Sequence, residues 1–132
     1  MSIVGTGTDL VEACRFREEN VSQRLLVRVF TEAELSYCRR MRFPELHLAA
    51  RFAVKEATVK ALASAVPGLL VSQVEVVRSA HGNPGVRLVQ GRCSPAPPRL
   101  PDDLVLHVSI SHAGWYALAN VIAEQLDGRQ IG

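Results

Sequence analysis

The sequence predicts an α+β domain in which a mainly antiparallel sheet packs against one long central helix. Three observations carry that expectation. Arg51 to Leu62 contains no Gly or Pro and is apolar around almost its whole circumference at 3.6 residues per turn, as the interior of a buried helix is. Val71 to Arg78 and Leu104 to Ser111 instead alternate at period two between turn residues, as half-buried strands do. Apart from one strand at the start, the helical patterns fill the first half of the chain and the strands the second, the segregated order of the α+β class.

At 132 residues the chain is expected to form a single domain spanning 1–132, large enough for one core and too small for two. With 48% hydrophobic and 21% charged residues it has the composition of a folded protein. Fifteen Lys and Arg against thirteen Asp and Glu leave +2, too little for nucleic-acid binding by field alone. The start, Met1 to Asp9, lacks a basic stretch followed by an apolar one, and no apolar run reaches membrane-spanning length, so no membrane association and a cytoplasmic location are expected. Cys14, Cys38 and Cys93 match neither a disulfide framework nor a zinc-ligand spacing and read as reduced thiols without a catalytic part.

Ser2 to Thr8, small and β-branched with two glycines, reads as a short buried strand approached closely by another backbone, with Asp9 where strand gives way to helix. Leu10 to Phe30 mixes apolar residues with Arg15, Arg17, Arg24 and Arg28 and predicts one or two amphipathic helices with an Arg-rich outer face. Thr31 with Glu34 three residues on is a capping-box signature, opening a helix that ends near Arg39, Arg40 and Arg42, before Pro44. The central helix is expected from Glu45 to about Ala65, where Pro67-Gly68 stops it. Val71 to Arg78 and Val86 to Val89, joined through His81-Gly82-Asn83-Pro84-Gly85, form a hairpin. Four prolines between Ser94 and Pro101 mark an extended loop. Leu104 to Ser111 places Leu104, Leu106, Val108 and Ile110 on one face and His107, Ser109 and Ser111 on the other, with His112 at its end. Ala113-Gly114 turns the chain into Trp115 to Ile122, an apolar run suited to a strand covered on both faces.

The central helix carries four charges with little free surface to put them on. Glu56 and Lys60, spaced i to i+4, are neighbours in the favourable order, whereas Arg51 and Lys55 are two cations side by side. Taken alone, this pattern reads as one helix ion pair, with Arg51 and Lys55 extending to solvent on their methylene stems. A sharper reading is a carboxylate that holds a cation among fixed positive groups, which suits a metal-bridged phosphate and requires a second carboxylate from elsewhere. Each other candidate also has a plain reading: Asp9 as a helix cap, Glu12 as a first-turn helix residue, His112 as a turn residue, and His107, Ser109 and Ser111 as a solvated strand face.

In combination and in this order, five stretches resemble the signature of the holo-acyl-carrier-protein synthases, the small bacterial 4′-phosphopantetheinyl transferases. They are Gly5-Thr6-Gly7-Thr8-Asp9-Leu10-Val11-Glu12, Phe30-Thr31-Glu32-Ala33-Glu34-Leu35, the helix from Ala50 to Leu62, Gly82-Asn83-Pro84, and His107-Val108-Ser109-Ile110-Ser111-His112. The resemblance covers essentially the whole chain. It implies transfer of 4′-phosphopantetheine from coenzyme A to a serine of an acyl carrier protein, leaving adenosine 3′,5′-bisphosphate. It also implies a magnesium ion held by Asp9 and Glu56, with Lys60 on the pyrophosphate. By the same resemblance Arg51 and His112 match positions at the 3′-phosphate and adenosine end, Ser109 and Ser111 line that groove, and Arg15 and Arg24, with Arg28 one turn beyond, dock the acidic carrier protein. A homotrimer with the groove between subunits is implied as well. The proton acceptor is left open between Glu56 and a metal-bound water.

The chain departs from the family pattern in three places. Ala63 to Gly68 replaces a Gly-Thr-Gly loop near the phosphates, Ala113 stands where many members carry a polar residue, and Cys14 replaces an aliphatic one. Two other functions compete: a module that binds carrier protein or coenzyme A without transfer, and a magnesium-dependent nucleotide phosphohydrolase.

Overall fold

The structure is a computed structural model and describes residues 1–127. Its elements are β1 (Ser2–Glu12), a 3-10 turn (Ala13–Phe16), α1 (Gln23–Val29), α2 (Glu32–Arg39), α3 (Pro44–Ala61), β2 (Val74–Arg78), β3 (Pro84–Leu88), β4 (Leu104–Ala113) and β5 (Tyr116–Gln125). β1, β5 and β4 form an antiparallel sheet in that order, and β2 and β3 a separate hairpin. One face of the three-stranded sheet packs on α3, the centre of the core, as the α+β expectation requires. Its inward residues Val11, Ala117, Ala119, Val121 and Ala123 are all buried.

The boundaries expected between Asp9 and Phe30 need correction. Asp9 is not at a strand-to-helix junction: β1 continues to Glu12, with Asp9 opposite Ala119 and Glu12 opposite Tyr116. Glu12 is therefore a strand residue, not the first turn of a helix. Val11, buried at 1% exposure, anchors this extension, since its side chain reaches the core only if the backbone stays extended. Only Gln23–Val29 of the expected amphipathic region forms an α-helix, capped by Ser22 Oγ accepting from Leu25 N at 3.1 Å. The capping box of α2 forms as expected: Thr31 Oγ1 accepts from Glu34 N at 3.2 Å, and Glu34 Oε1 accepts from Thr31 N at 2.8 Å.

α3 begins with Pro44 at its first turn, where a missing N–H costs nothing, and ends at Ala61, four residues before the expected end. Arg51 and Lys55 do not extend to solvent. Arg51 is 5% exposed and Lys55 0%. Lys55 Nζ lies 2.7 Å from Glu34 Oε1 and donates to Val74 O, so a cation expected on the surface joins α3, α2 and β2 inside the core. Burial pushes the Lys55 ammonium below its usual range, while the Glu34 carboxylate acts in the opposite direction. Lys55→Met would leave Glu34 buried with only backbone donors, a loss of roughly 3–5 kcal/mol. Urea denaturation should show it, and adding Glu34→Gln should recover most of it; a shift below about 1 kcal/mol would mean that water reaches the carboxylate.

Two further expectations change. The alternation of Val71 to Arg78 puts Glu75 on the polar side of a half-buried strand, yet it is buried at 5% and pairs with Arg87 on β3 at 2.6 Å. β5 is covered on one face only: Tyr116 and Leu118 are 46% and 40% exposed while Ala117 and Ala119 are fully buried. With Ile3 and Leu10 also exposed on the same side, the sheet turns an apolar outer face to its surroundings. No helix among the described residues is long and apolar enough to cross a membrane.

Candidate active site

The closest contact between β1 and α3 aligns the principal candidates. A Cβ on Gly5 would lie 1.8 Å from Ala61 O, and one on Gly7 1.9 Å from Ala57 O, so only glycine admits this backbone-to-backbone approach. Gly5 opposite Ala61 and Gly7 opposite Ala57 make the strand run antiparallel to the helix. Asp9, two residues further on the same strand face, is then level with the preceding helical turn, Ala53 to Glu56. Lys60 leans toward the helix N-terminus, as helical side chains do, and reaches it: Nζ donates to Thr8 O at 3.0 Å and lies 3.4 Å from Asp9 Oδ1. The lysine is half exposed, so this pair adds under about 1 kcal/mol to stability.

Asp9 and Glu56 could offer two carboxylates to a metal, while no group of three or more His, Cys, Asp or Glu gathers among the described residues. Such a set does not suit a closed structural zinc site. It does suit magnesium, which takes oxygen ligands, commonly one or two carboxylates, and completes its shell with water and substrate phosphate.

A second, cationic cluster lies along α3 and β2. The Arg51 guanidinium sits 4.2 Å from the centre of the Tyr37 ring, and that of Arg78 5.3 Å from the same ring. His47, one turn before Arg51, stacks edge-on against Tyr37 at 6.2 Å. Burial lowers the His47 pKa, and the charges of Arg51, His112 and Arg78 lower it further. Arg51 and His112 thus both act on His47, His112 lying at the end of β4 on the inward-facing row of Val108 and Ile110. Sequence reading passed over Tyr37, His47 and Arg78; the i to i+4 spacing of His47 and Arg51 was the available signal.

Ser109 and Ser111 lie elsewhere. The register aligns Thr8, Asn120 and Ser109 in one row and Leu10, Leu118 and Ser111 in another, both on the exposed sheet face away from α3. A single chain does not bring them to Asp9, Glu56 and Lys60. His107 is exposed, as expected for a solvated face, with Nε2 3.2 Å from Glu124 Oε1.

Arg24 and Arg28 are exposed one turn apart on α1, and the Arg15 guanidinium lies 5.2 Å from the Phe52 ring centre. A cavity of about 330 Å³ connects this region to the first cluster: Arg15, Phe16, Leu25 and Phe52 line it together with Glu56. Its apolar lining was missed because the residues come from three separate segments. A larger cavity, about 650 Å³, lies beside Arg17, Glu19, Arg39 and Glu45 and contains none of the candidate residues. Of the three free cysteines, Cys38 is buried, which pushes its thiol up to about 11, as befits an unreactive core residue.

The 4′-phosphopantetheinyl transferase superfamily model matches residues 5–115. The chain belongs to this superfamily. A holo-[acyl-carrier-protein] synthase of Frankia alni is 41% identical over 125 residues, covering 94% of this chain and 99% of that protein. One of Protochlamydia amoebophila is 40% identical over 119 residues, covering 88% and 93%. Among solved structures, the Bacillus anthracis holo-(acyl-carrier-protein) synthase in complex with CoA (3′,5′-ADP) superposes with a TM-score of 0.72 at 27% identity over 94% of this chain and 98% of that one. The Mycobacterium tuberculosis acyl carrier protein synthase superposes with a TM-score of 0.65 at 33% identity over 95% and 100%. This transferase thus shares both fold and length with its relatives.

Proposed function

We propose that this transferase moves 4′-phosphopantetheine from coenzyme A to a serine hydroxyl of an acyl carrier protein, in the cytoplasm, with magnesium as cofactor. The observation that carries the reading is the grouping of Asp9, Lys60 and the Glu56 turn where Gly5 and Gly7 admit α3 onto β1. In the reaction the serine oxygen forms a bond to the phosphorus that carries pantetheine, and the bond from that phosphorus to the adenosine 5′-phosphate breaks, releasing adenosine 3′,5′-bisphosphate. Asp9 and Glu56 would hold the magnesium, which when bound neutralises the pyrophosphate and the charge building on the leaving group. Lys60, anchored on Thr8 O, adds a fixed positive charge beside the same phosphates. Glu56 also borders the cavity that Arg15 lines, on the side where the carrier arrives, so it is the carboxylate placed to take the serine proton. Arg51 and His112, with His47 and Arg78 beside them, face the anionic nucleotide end of coenzyme A. Arg15, Arg24 and Arg28 dock the acidic carrier.

The exposed apolar sheet face supports a homotrimer. Ile3, Leu10, Tyr116 and Leu118 find their cover on a second copy of the chain, and Ser109 and Ser111, open on that face, enter a coenzyme A groove shared between copies.

Intact mass spectrometry of an apo acyl carrier protein, incubated with the transferase, coenzyme A and magnesium, tests the reading. A gain of about 340 Da that a chelator abolishes is the expected result. No gain on several carriers despite coenzyme A binding would point instead to a binding module. Bisphosphate release at a rate indifferent to carrier would point to a phosphohydrolase.

A further inference from the structure

Arg51 shares a cavity of about 250 Å³ with two carboxylates and pairs with neither. Glu34, Tyr37, Arg51, Glu75, Arg78 and Arg87 all line it. A buried guanidinium beside buried acids ordinarily forms a bidentate pair. Here every carboxylate oxygen is already engaged. Glu34 Oε1 lies 2.7 Å from Lys55 Nζ and accepts from Thr31 N at 2.8 Å, and its Oε2 accepts from Val76 N at 2.9 Å. Glu75 Oε1 accepts from Arg87 Nε at 2.6 Å, and its Oε2 accepts from Thr31 Oγ1 at 2.6 Å. Arg51 retains the face of Tyr37 and a long 3.5 Å bond from Nη1 to His47 O, while its buried Nε has no partner. No ion pair among the described residues includes it.

We propose that the chain of contacts Arg87–Glu75–Thr31–Glu34–Lys55 is a positioning network that keeps both acids away from Arg51, leaving its guanidinium free for the anionic nucleotide end of coenzyme A. The proposal rests on the reading of Arg51 given above. The network acts through competition. Burial works to raise the Glu75 pKa, but the hydrogen bonds from Thr31 and Arg87 outweigh it and hold the carboxyl below its usual range. Glu75 is thus an anion while the network is intact, and released from Arg87 it would compete with the substrate phosphate for Arg51 and Arg78, the cations of this cavity that no ion pair among the described residues engages. Arg87 is the accessible lever, because its side chain is 66% exposed while that of Glu75 is 7%. Removing Arg87 takes little packing from the core and frees one Glu75 oxygen.

The test compares Arg87→Met, Glu75→Gln, the double variant and Arg51→Gln by calorimetric coenzyme A binding and by KM for coenzyme A and for carrier protein. Arg87→Met should weaken coenzyme A about tenfold in Kd and KM, leave the carrier KM unchanged, and be returned to within about twofold of the parent by adding Glu75→Gln. A purely structural role for Arg87 would leave the double variant as weak as Arg87→Met or weaker, since neither change restores a contact. That result, or parent-like binding by Arg87→Met, overturns the network proposal. Arg51→Gln separates the two readings: weakened binding upholds Arg51 as a coenzyme A ligand whatever Arg87→Met does, whereas parent-like binding removes that reading and the network proposal with it.

Discussion

Replacing Glu56 by Gln should abolish transfer, lowering kcat by about 10²–10⁴-fold while coenzyme A and carrier protein still bind. The substitution keeps the shape of the side chain and removes its charge. Glu56 is half-buried at the edge of the apolar cavity and belongs to no ion pair among the described residues, so the fold has little reason to depend on it. Its charge has two proposed uses, holding a divalent cation and taking the serine proton, and the amide serves neither. The readout is single-turnover mass transfer to an apo carrier, with calorimetry as the binding control. Asp9→Asn provides a comparison. It too should lose metal-dependent turnover, but it also releases Lys60 from its 3.4 Å partner, so its coenzyme A affinity should move where that of Glu56→Gln does not. Turnover within about twofold of the parent for Glu56→Gln would remove the carboxylate pair from the mechanism.

The largest effect on stability is expected at Gly7, where one methyl group should prevent folding. An alanine Cβ there would sit 1.9 Å from Ala57 O and 3.0 Å from Ala61 N, and both are helix backbone that no rotamer change can move. β1 or α3 would have to retreat, separating Val11 and the inner face of β5 from the alanine row of the helix. The loss should exceed about 5 kcal/mol, comparable with the whole stability of a small domain. Circular dichroism and urea titration would report it. Gly85→Ala is the control: its nearest neighbour is the Val77 Cγ2 at 3.7 Å, an ordinary contact, so it should stay folded. A Gly7→Ala protein with near-parent stability would mean that the strand and helix are not in backbone contact.

Much of the first cluster was legible beforehand because its signals are local. The two glycines of β1 and the Thr31–Glu34 capping box are each set by a few consecutive residues, and each forms in the structure. The Glu56–Lys60 ion pair read from helical spacing does not form, because Lys60 reaches across to Thr8 O and Asp9 on β1 instead. The serine-bearing face of β4 was legible for the same reason, since period two assigns faces without knowledge of the neighbours. Misreadings arose where a distant segment decides. Leu10 to Glu12 was read as helical, and it stays extended because β5 pairs with it along the whole length. Lys55 was read as snorkelling, and it is buried because Glu34 and Val74 O meet it from other elements. The apolar cavity beside Glu56 was invisible, as Phe16, Leu25 and Phe52 share no sequence period.

The sequence by itself therefore determined the class of fold, the order of its elements and which residue types could carry phosphoryl-transfer chemistry, because propensity, capping and periodicity act over one or two turns of chain. Tertiary structure alone decided which charges face solvent and which are locked inside. Arg51 and Lys55 are one helical turn apart and chemically alike, yet Lys55 is neutralised by Glu34 while Arg51 is left without an acid in a cavity that contains two. That difference depends on where α2 and the β2–β3 hairpin dock on α3. A buried charge takes its role from the partners that desolvation forces upon it, and those partners lie some twenty residues away along the chain for both Glu34 and Val74.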